Sequence, residues 1–430
     1  MNKTILHIDF NSYFATVEQQ ANPRLRGKPI GVTGGDRMQR TVIGAASVEA
    51  KKFGVRTGMH LYEAKRLCPE IILVQGDSDK YLSTTTKFLN IIKDYSPLVE
   101  IFSIDEVFLA LDLTGRMRKT CEVENYEMVI KIALDIKRRI RTEIGEWISC
   151  SIGISYNKLM AKLAGSLQKP DGLVVMENEI EAMKVLDKIP LDEICGIGFR
   201  IKKRLNKMGI FSFKSLRAAP LEVLLLEFKS YGQFLYEACR GINHDPIVPF
   251  YEKEEVKSIG HRHTIDHDTD NLVEIKQLLL KLTELVGRRL RSKKLVGRTV
   301  SCWYRQAFHP RGEEMQLHLG GVFTGERMQI TIPYPDDGLE IFKAGWKIFH
   351  QTWDGKKIRL LGVSISNLRP TTPQSLTFLD ESLKQEKIIQ ALDKINNRFG
   401  EFTLQRGILL DTEKIRRKPN SFIADRRFKI

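Results

Sequence analysis

Apolar residues fall in short blocks along the chain, and their spacing switches between a two-residue and a 3.6-residue period. The N-terminal "TILHIDFNSYF" reads as a strand to Phe10 that runs into a helix, "SYFATVEQQAN". Past a Gly-rich turn, "TVIGAASVEAKKFGV" reads as a strand entering a helix. "MHLYEAKRLCP" is then a short amphipathic helix stopped by Pro69, and "IILVQ" a strand. A helix over 79–95 leads into the hairpin "VEIFSIDEVFLALDL", and a helical period covers 124–145. "WISCSIGIS" returns to strand before the helix "NKLMAKLAGSLQK". Strands near 4–10, 71–75, 98–111 and 147–155, with helices between them, predict an α+β sheet with helices on one face.

From 167 to 240 the pattern is helical, and "GINHDPIVPFYEKEE" then breaks it with two prolines and mixed charge, as a linker does. A second αβ unit follows. "KSIGHRHTI", a helix over 271–293, "RTVSCWYR", "ERMQITIPY", a helix over 337–351 and "KIRLLGVSIS" give the order β-α-β-β-α-β. One amphipathic helix, "KQEKIIQALDKINNRFG", and a basic tail close the chain.

Carboxylates interrupt two of the apolar strands: Asp9 in the first, and the adjacent Asp105 and Glu106 in the hairpin. Burying an ionised carboxylate is costly unless something neutralises it, and three together repel unless a cation sits among them. Structural ion pairs are the plain alternative, yet neither strand carries a Lys or Arg close enough in sequence to act as an obvious local partner. A divalent metal site is the better expectation. Neighbouring side chains on a regular strand point to opposite faces, so Asp105 and Glu106 share a site only if "SIDE" turns or bulges. Mg²⁺ takes oxygen ligands, and two such ions about 4 Å apart can clamp both oxygens of an in-line phosphoryl displacement.

Charge narrows the partner. With 68 Lys and Arg against 53 Asp and Glu, the formal charge is +15, which favours a polyanion such as nucleic acid. Basic runs at 287–298, 413–420 and 425–430 are spread out, as a long binding track requires. Six cysteines lie singly, with no CxxC pair, which argues against a zinc ribbon or disulfide framework. Histidines gather only at "HRH" near 261 and at His267, where a solvated strand end is favoured over a metal site. No apolar stretch reaches the roughly 18 residues of a membrane span.

"LDEICGIGFRIKKRLNKMGI" (191–210) has the form of a helix-hairpin-helix. Gly196 and Gly198 let backbone approach a phosphate, the following helix N-terminus presents amide N–H groups, and Arg200, Lys202, Lys203 and Arg204 add charge. Such a module grips backbone without reading sequence. An ordinary helical hairpin with a Gly cap is the alternative.

With these pieces in order, the chain resembles the bacterial Y-family (translesion) DNA polymerases of the DinB/UmuC group. The resemblance rests on "HIDFNSYFATVE", "EAKKFGVRTGM", "SIDEVFLAL", "SIGISYNKLMAKLAGSLQKPDGL", the helix-hairpin-helix and "KSIGHRHTI". It implies a right-hand polymerase: a palm over 1–10 and 77–166, fingers over 11–76, a small thumb over 167–240 and a linker over 241–252. A β-α-β-β-α-β little finger would follow over 253–370, with a tail over 371–430. It implies that Asp9, Asp105 and Glu106 carry catalysis and hold two Mg²⁺ ions with the carbonyl of Phe10. Phe14 would be the steric gate against a 2′-OH. Asn11, Tyr13, Lys51 and Lys158 would serve the nucleotide, Lys158 as a triphosphate clamp. Gly196, Gly198, Arg200, Lys202 and Lys203 would meet DNA.

The chain departs from the family in "SVEAKKFGV": Val48 and Ala45 lack hydroxyls that many relatives place near the triphosphate, Lys51 stands where many have arginine, and Asn11 replaces a second acid. "PQSLTFLDE" resembles a sliding-clamp peptide through Gln374 and Phe378, with a plain linker as the alternative. The activity implied is template-directed addition of dNTPs to a primer 3′-OH, error-prone and lesion-tolerant, in DNA repair of the SOS type. No proofreading exonuclease segment is recognisable. A cytoplasmic, nucleoid-associated monomer is expected. A non-catalytic DNA-binding accessory and a palm-type nucleotidyl cyclase are the competing readings; the helix-hairpin-helix has no task in the latter.

Overall fold

The computed structural model describes residues 3–34, 41–112, 122–252, 255–307, 325–371 and 380–410. Gln374, Phe378 and the basic runs at 413–420 and 425–430 lie outside the described residues. The chain divides into two units at residues 253/254.

In the first unit the opening apolar run is β1 (Lys3–Phe10), and α1 (Tyr13–Ala21) follows immediately. Ser12 makes the reversal between them in the left-handed region, at φ 49°. β2 (Ile30–Thr33), β3 (Ile43–Ala46), α2 (Val48–Lys52), α3 (Leu61–Leu67) and β4 (Ile72–Gln75) build a small sheet of order β3-β2-β4. The apolar block at 71–75 therefore belongs to a different sheet from β1. α4 (Ser78–Lys93) begins at Asp77, whose carboxylate accepts from the amides of Asp79 and Lys80. β5 (Val99–Ile101), β6 (Glu106–Asp112), α5 (Glu122–Arg139), β7 (Cys150–Ser155), α6 (Lys158–Leu167) and β8 (Leu173–Met176) complete a five-stranded sheet of order β5-β6-β1-β7-β8. β8 is a correction to the all-helical reading of 167–240; it pairs in parallel with β7 from Leu173 to Met176.

The pleat sorts β1 into two faces. Leu6, Ile8 and Phe10 join Val107, Leu109, Phe88, Ile92 and Ile136 in the main core, under α4 and α5. Ile5, His7 and Asp9 face the other way, where Ile5 and Phe108 pack on Ala161 of α6. That helix lies unusually close to the sheet because two glycines meet there. A Cβ on Gly153 would come within 2.1 Å of the Ala161 carbonyl, and one on Gly165 within 3.0 Å of His7 Nδ1. Past β8, α7 (Glu179–Leu186), α8 (Phe199–Lys207), α9 (Phe213–Ala218), α10 (Leu221–Phe228) and α11 (Tyr231–Ala238) enclose a separate helical core around Leu205, Phe213, Leu216 and Leu235.

The second unit contains β9 (Ser258–Thr269), α12 (Leu272–Ser292), β10 (Leu295–Val296), β11 (Thr299–Gln306), β12 (Arg327–Thr331), α13 (Gly338–Thr352), β13 (Ile358–Ser366), β14 (Arg369–Pro370) and α14 (Asp380–Phe399). Its main sheet has the order β12-β11-β13-β9, with the two long helices packed on it, as the β-α-β-β-α-β pattern requires. The unit continues past residue 370. Arg291 of α12 grips Asp393 of α14 through two bonds of 2.7 and 2.9 Å, and Arg406 reaches Glu284 at 2.6 Å.

Candidate active site

The carboxylates gather at one end of β1. Asp9 and Glu106 are direct partners in the antiparallel register of β1 and β6, so both project from the face that α6 covers. Asp105 lies one residue before β6, in the tight turn after β5, where the amides of Phe102 and Ser103 both donate to the Glu106 carbonyl at 3.1 Å. This turn at "SIDE" is what lets two consecutive acids serve one site. The Phe10 amide donates to the Asp105 carbonyl at 3.0 Å and ties the turn to β1.

The three acids have different surroundings. Burial pushes the Asp105 carboxyl up to about 6; a hydrogen bond from Ser103 Oγ opposes this, while the charges of Asp9 and Glu106 add to it. Partial burial raises the Glu106 carboxyl too, but His7 and Lys162 outweigh it and hold it down at about 2. His7 Nε2 sits 3.2 Å from Glu106 Oε2, and the carboxylate can only accept, so His7 donates there. Burial keeps His7 below its ordinary range, in the neutral form. Its Nδ1 has no partner among the described residues.

Cations reach the acids from far along the chain. Lys162 of α6 pairs with Glu106, and Lys169, just past the end of α6, pairs with Asp9 at 2.6 Å. The lack of a local cation therefore does not carry the metal argument. The donor set does. Asp9 and Glu106 bring carboxylate oxygens, and His7 a ring nitrogen, within 4.8 Å of one another. Asp105, half-buried beside them, forms no ion pair with a described residue. With the His7 ring nitrogen donating to Glu106, the carboxylate oxygens are the donors left at this site, and they suit a hard divalent cation.

Beside the acids opens a pocket of about 560 Å³, lined by Asp9, Asp105, Lys51, Lys52, Lys169 and Thr57, together with Phe10 to Phe14, Gly44, Ala45, Val48 and Pro170. Acids and lysines in one cavity suit a ligand carrying both metal and phosphate. Burial first, and then the nearby Lys169, pull the Lys51 ammonium below its ordinary range, with Asp9 opposing. Ala45 and Val48 give the wall two apolar patches. Phe14 is half-buried here and stacks on Tyr81 at 4.5 Å. Tyr13 is the core aromatic of the pair: its hydroxyl meets the Tyr81 carbonyl at 2.9 Å and Thr85 Oγ1 at 2.8 Å. Asn11 is fixed against β7, donating to Ser149 Oγ and accepting from Ser151 Oγ.

Lys158 is placed away from the pocket. Its ammonium bonds both oxygens of Glu100 at 2.8 Å and the Pro246 carbonyl at 3.2 Å, and it is absent from the pocket lining. Lys169 occupies the pocket instead. The signal for it was the "QKPDG" that ends the same motif, where proline stops the helix and sends the preceding lysine elsewhere.

In the helical region, Gly196 adopts φ 105° and Gly198 caps the N-terminus of α8. A Cβ on Gly196 would lie 2.8 Å from the Tyr231 hydroxyl, which donates to the Gly196 carbonyl; Gly198 faces open space. Arg200 and Lys203 are exposed, while Lys202 is paired with Asp192 at 2.6 Å. In the second unit, exposed His267 stands between Asp266 and Glu274, at 2.9 and 3.2 Å. No described helix is long and apolar enough to cross a membrane.

Comparisons with known proteins cover nearly the whole chain. Residues 8–166 match the impB/mucB/samB family, 256–378 that family's C-terminal domain, and 192–243 the thumb domain of DNA polymerase-iota. The chain is 35% identical to the DNA polymerase IV of Pelotomaculum thermopropionicum over 412 residues, 95% of this chain and 96% of that protein. It is 36% identical to the DNA polymerase IV of Moorella thermoacetica over 411 residues, with the same coverage of each, 95% and 96%. A solved Y-family DNA polymerase chimera of Dbh and Dpo4 shares the fold at a TM-score of 0.66, with 24% identity, over 85% of this chain and 98% of that one.

Proposed function

The chain belongs to the impB/mucB/samB family, the Y-family DNA polymerases of bacterial DinB type, and from that membership we infer how its pocket works. It is a DNA-directed DNA polymerase of the translesion class, acting on primer-template DNA and dNTPs with a divalent metal. In our reading the metal is a pair of Mg²⁺ ions held by Asp9, Asp105, Glu106 and the Phe10 carbonyl. Bound there, the ions would supply the positive charge that an in-line phosphoryl transfer needs at its attacking and leaving oxygens.

The chain's own residues do the rest by position and charge. Lys169 and Lys51, both in the pocket, hold the triphosphate. To do so, Lys169 exchanges its bond to Asp9 for one to phosphate, which frees the carboxylate for metal. Phe14 presents its ring beneath the sugar and excludes a 2′-OH by contact, with Tyr81 behind it as a stop. Lys162 and His7 fix the rotamer of Glu106. Gly196, Gly198, Arg200, Lys202 and Lys203 grip the DNA backbone. The peptide with Gln374 and Phe378 tethers a monomeric enzyme to the sliding clamp, at the nucleoid in the cytoplasm.

One observation carries this reading: Asp9 and Glu106 in register, with Asp105 in the adjoining turn, beside a pocket lined by Lys51 and Lys169. Primer extension with Mg²⁺ tests it. The wild-type protein extends a primer and Asp105→Ala does not. Equal extension by both removes the carboxylates from the chemistry, and extension by neither leaves a DNA-binding accessory.

A further inference from the structure

Lys137, near the end of α5, is a cation held inside the first unit, with its side chain only 9% exposed. Its ammonium donates to the carbonyls of Asp171 at 2.5 Å and Gly172 at 3.1 Å, and pairs with the Asp171 carboxylate at 3.0 Å. Four residues on, Arg141 takes the other oxygen of the same carboxylate. A buried ammonium is tolerated only when its protons find such partners. Lys137 of α5 and Arg141, in the helical turn that follows α5, thus converge on one short turn between α6 and β8.

That turn carries Lys169. Asp171, two residues later, is in the left-handed region at φ 60°, and Gly172 is so tightly placed that a Cβ would meet the Gln168 carbonyl at 1.8 Å. The Gly172 carbonyl also accepts the Ile152 amide at 3.0 Å, and its own amide donates to Ser151 Oγ at 3.3 Å. Lys137 reaches this turn from the α5 layer, whereas the carboxylates lie under α6 on the opposite face of the sheet. It touches neither the pocket nor an acid of the site.

We propose that Lys137 is a positioning residue for polymerisation: it pins the turn at Asp171 and Gly172 so that Lys169 is presented to the incoming triphosphate, with Arg141 bracing the outer side. The proposal rests on the reading that Lys169 binds that triphosphate. A free turn would let Lys169 swing with it, and nucleotide binding would weaken while the carboxylates stayed in place.

A double-mutant cycle on the full-length protein separates this from simple stabilisation of the fold. Single-nucleotide insertion is measured for Lys137→Met, Lys169→Ala and the double variant, with primer-template Kd as a control. Lys137→Met should raise the dNTP KM about tenfold with kcat within about twofold and DNA affinity unchanged. In the Lys169→Ala background the same change should add less than about twofold, because the two act through one contact. An equal KM effect in both backgrounds, or lower thermal stability with no KM effect, overturns the proposal. If Lys169→Ala itself leaves KM unchanged, the triphosphate reading falls instead. Should Lys137→Met fail to fold, the exposed Arg141→Ala replaces it: a KM rise of about threefold that vanishes with Lys169→Ala supports the pin, and an unchanged KM overturns it.

Discussion

Asp9 and Glu106 face each other across β1 and β6, and each is held by a lysine from one continuous segment: Lys169 on Asp9 and Lys162 on Glu106. Like charges directly opposite on a sheet destabilise it, and these two cations remove that cost. Among the described residues no such cation pairs with Asp105, next to them, and the difference between the acids can be measured.

Asp105→Asn should stabilise the metal-free protein while abolishing extension. The wild-type carboxyl is raised to about 6 by burial, so its contribution to stability is present below its unfolded value and is lost as pH rises through 6. With chelator present, the variant should match the wild type near pH 4 and exceed it above pH 6, by on the order of 1–3 kcal/mol. Denaturant unfolding at the two pH values reads this directly. A variant less stable at both would mean that the burial of this acid is compensated.

Lys169→Ala and Lys158→Ala should part company. The first should raise the dNTP KM by about tenfold or more, the loss expected when a charge-assisted contact to phosphate goes. The second breaks the pair with Glu100 and should leave KM within about twofold. Reversed outcomes would return the clamp role to Lys158.

Phe14→Ala should admit ribonucleotides, because a methyl cannot occlude a 2′-OH. Discrimination between dNTP and rNTP should fall by about two orders of magnitude, which is about 2.7 kcal/mol and sits at the upper end of what a single contact contributes. Tyr13→Phe, which loses hydroxyl bonds inside the core, should cost stability and leave sugar selection alone. Comparing kcat/KM for both nucleotide types decides it.

DNA affinity should fall steeply with salt, since every phosphate contact releases counterions. Arg200→Ala and Lys203→Ala should each lower the slope of log K against log salt by about one, uniformly across sequences. Unchanged slopes would take the hairpin out of the interface.

The strand of Asp9, the turn at "SIDE" and both long helices of the second unit were legible because each is set by a local pattern: apolar alternation, a polar tip, a 3.6-residue period. The counter-ions were not. Lys158 and Lys162 stand four residues apart on one helix, yet one meets Glu100 and the other Glu106. Only the placement of α6 on β7, β1 and β8, from which its lysines reach across to β5 and β6, decides which lysine finds which acid. Lys169 leaves the helix altogether, at a turn whose course depends on Lys137, some thirty residues earlier. β8 was hidden because "LVVM" is too short to show a period; α14 was legible as an amphipathic helix, but its docking was not, because its cationic partners on α12 are about a hundred residues upstream.

Gly153 gives this enzyme a point of fragility remote from any charge or substrate. An extra methyl there would wedge α6 away from β7 and carry Lys162 and Lys169 off their acids together. Drift at that position would disable nucleotide addition without altering one atom of the reacting groups. A survey for inactivating changes that looked only around the cavity would overlook it.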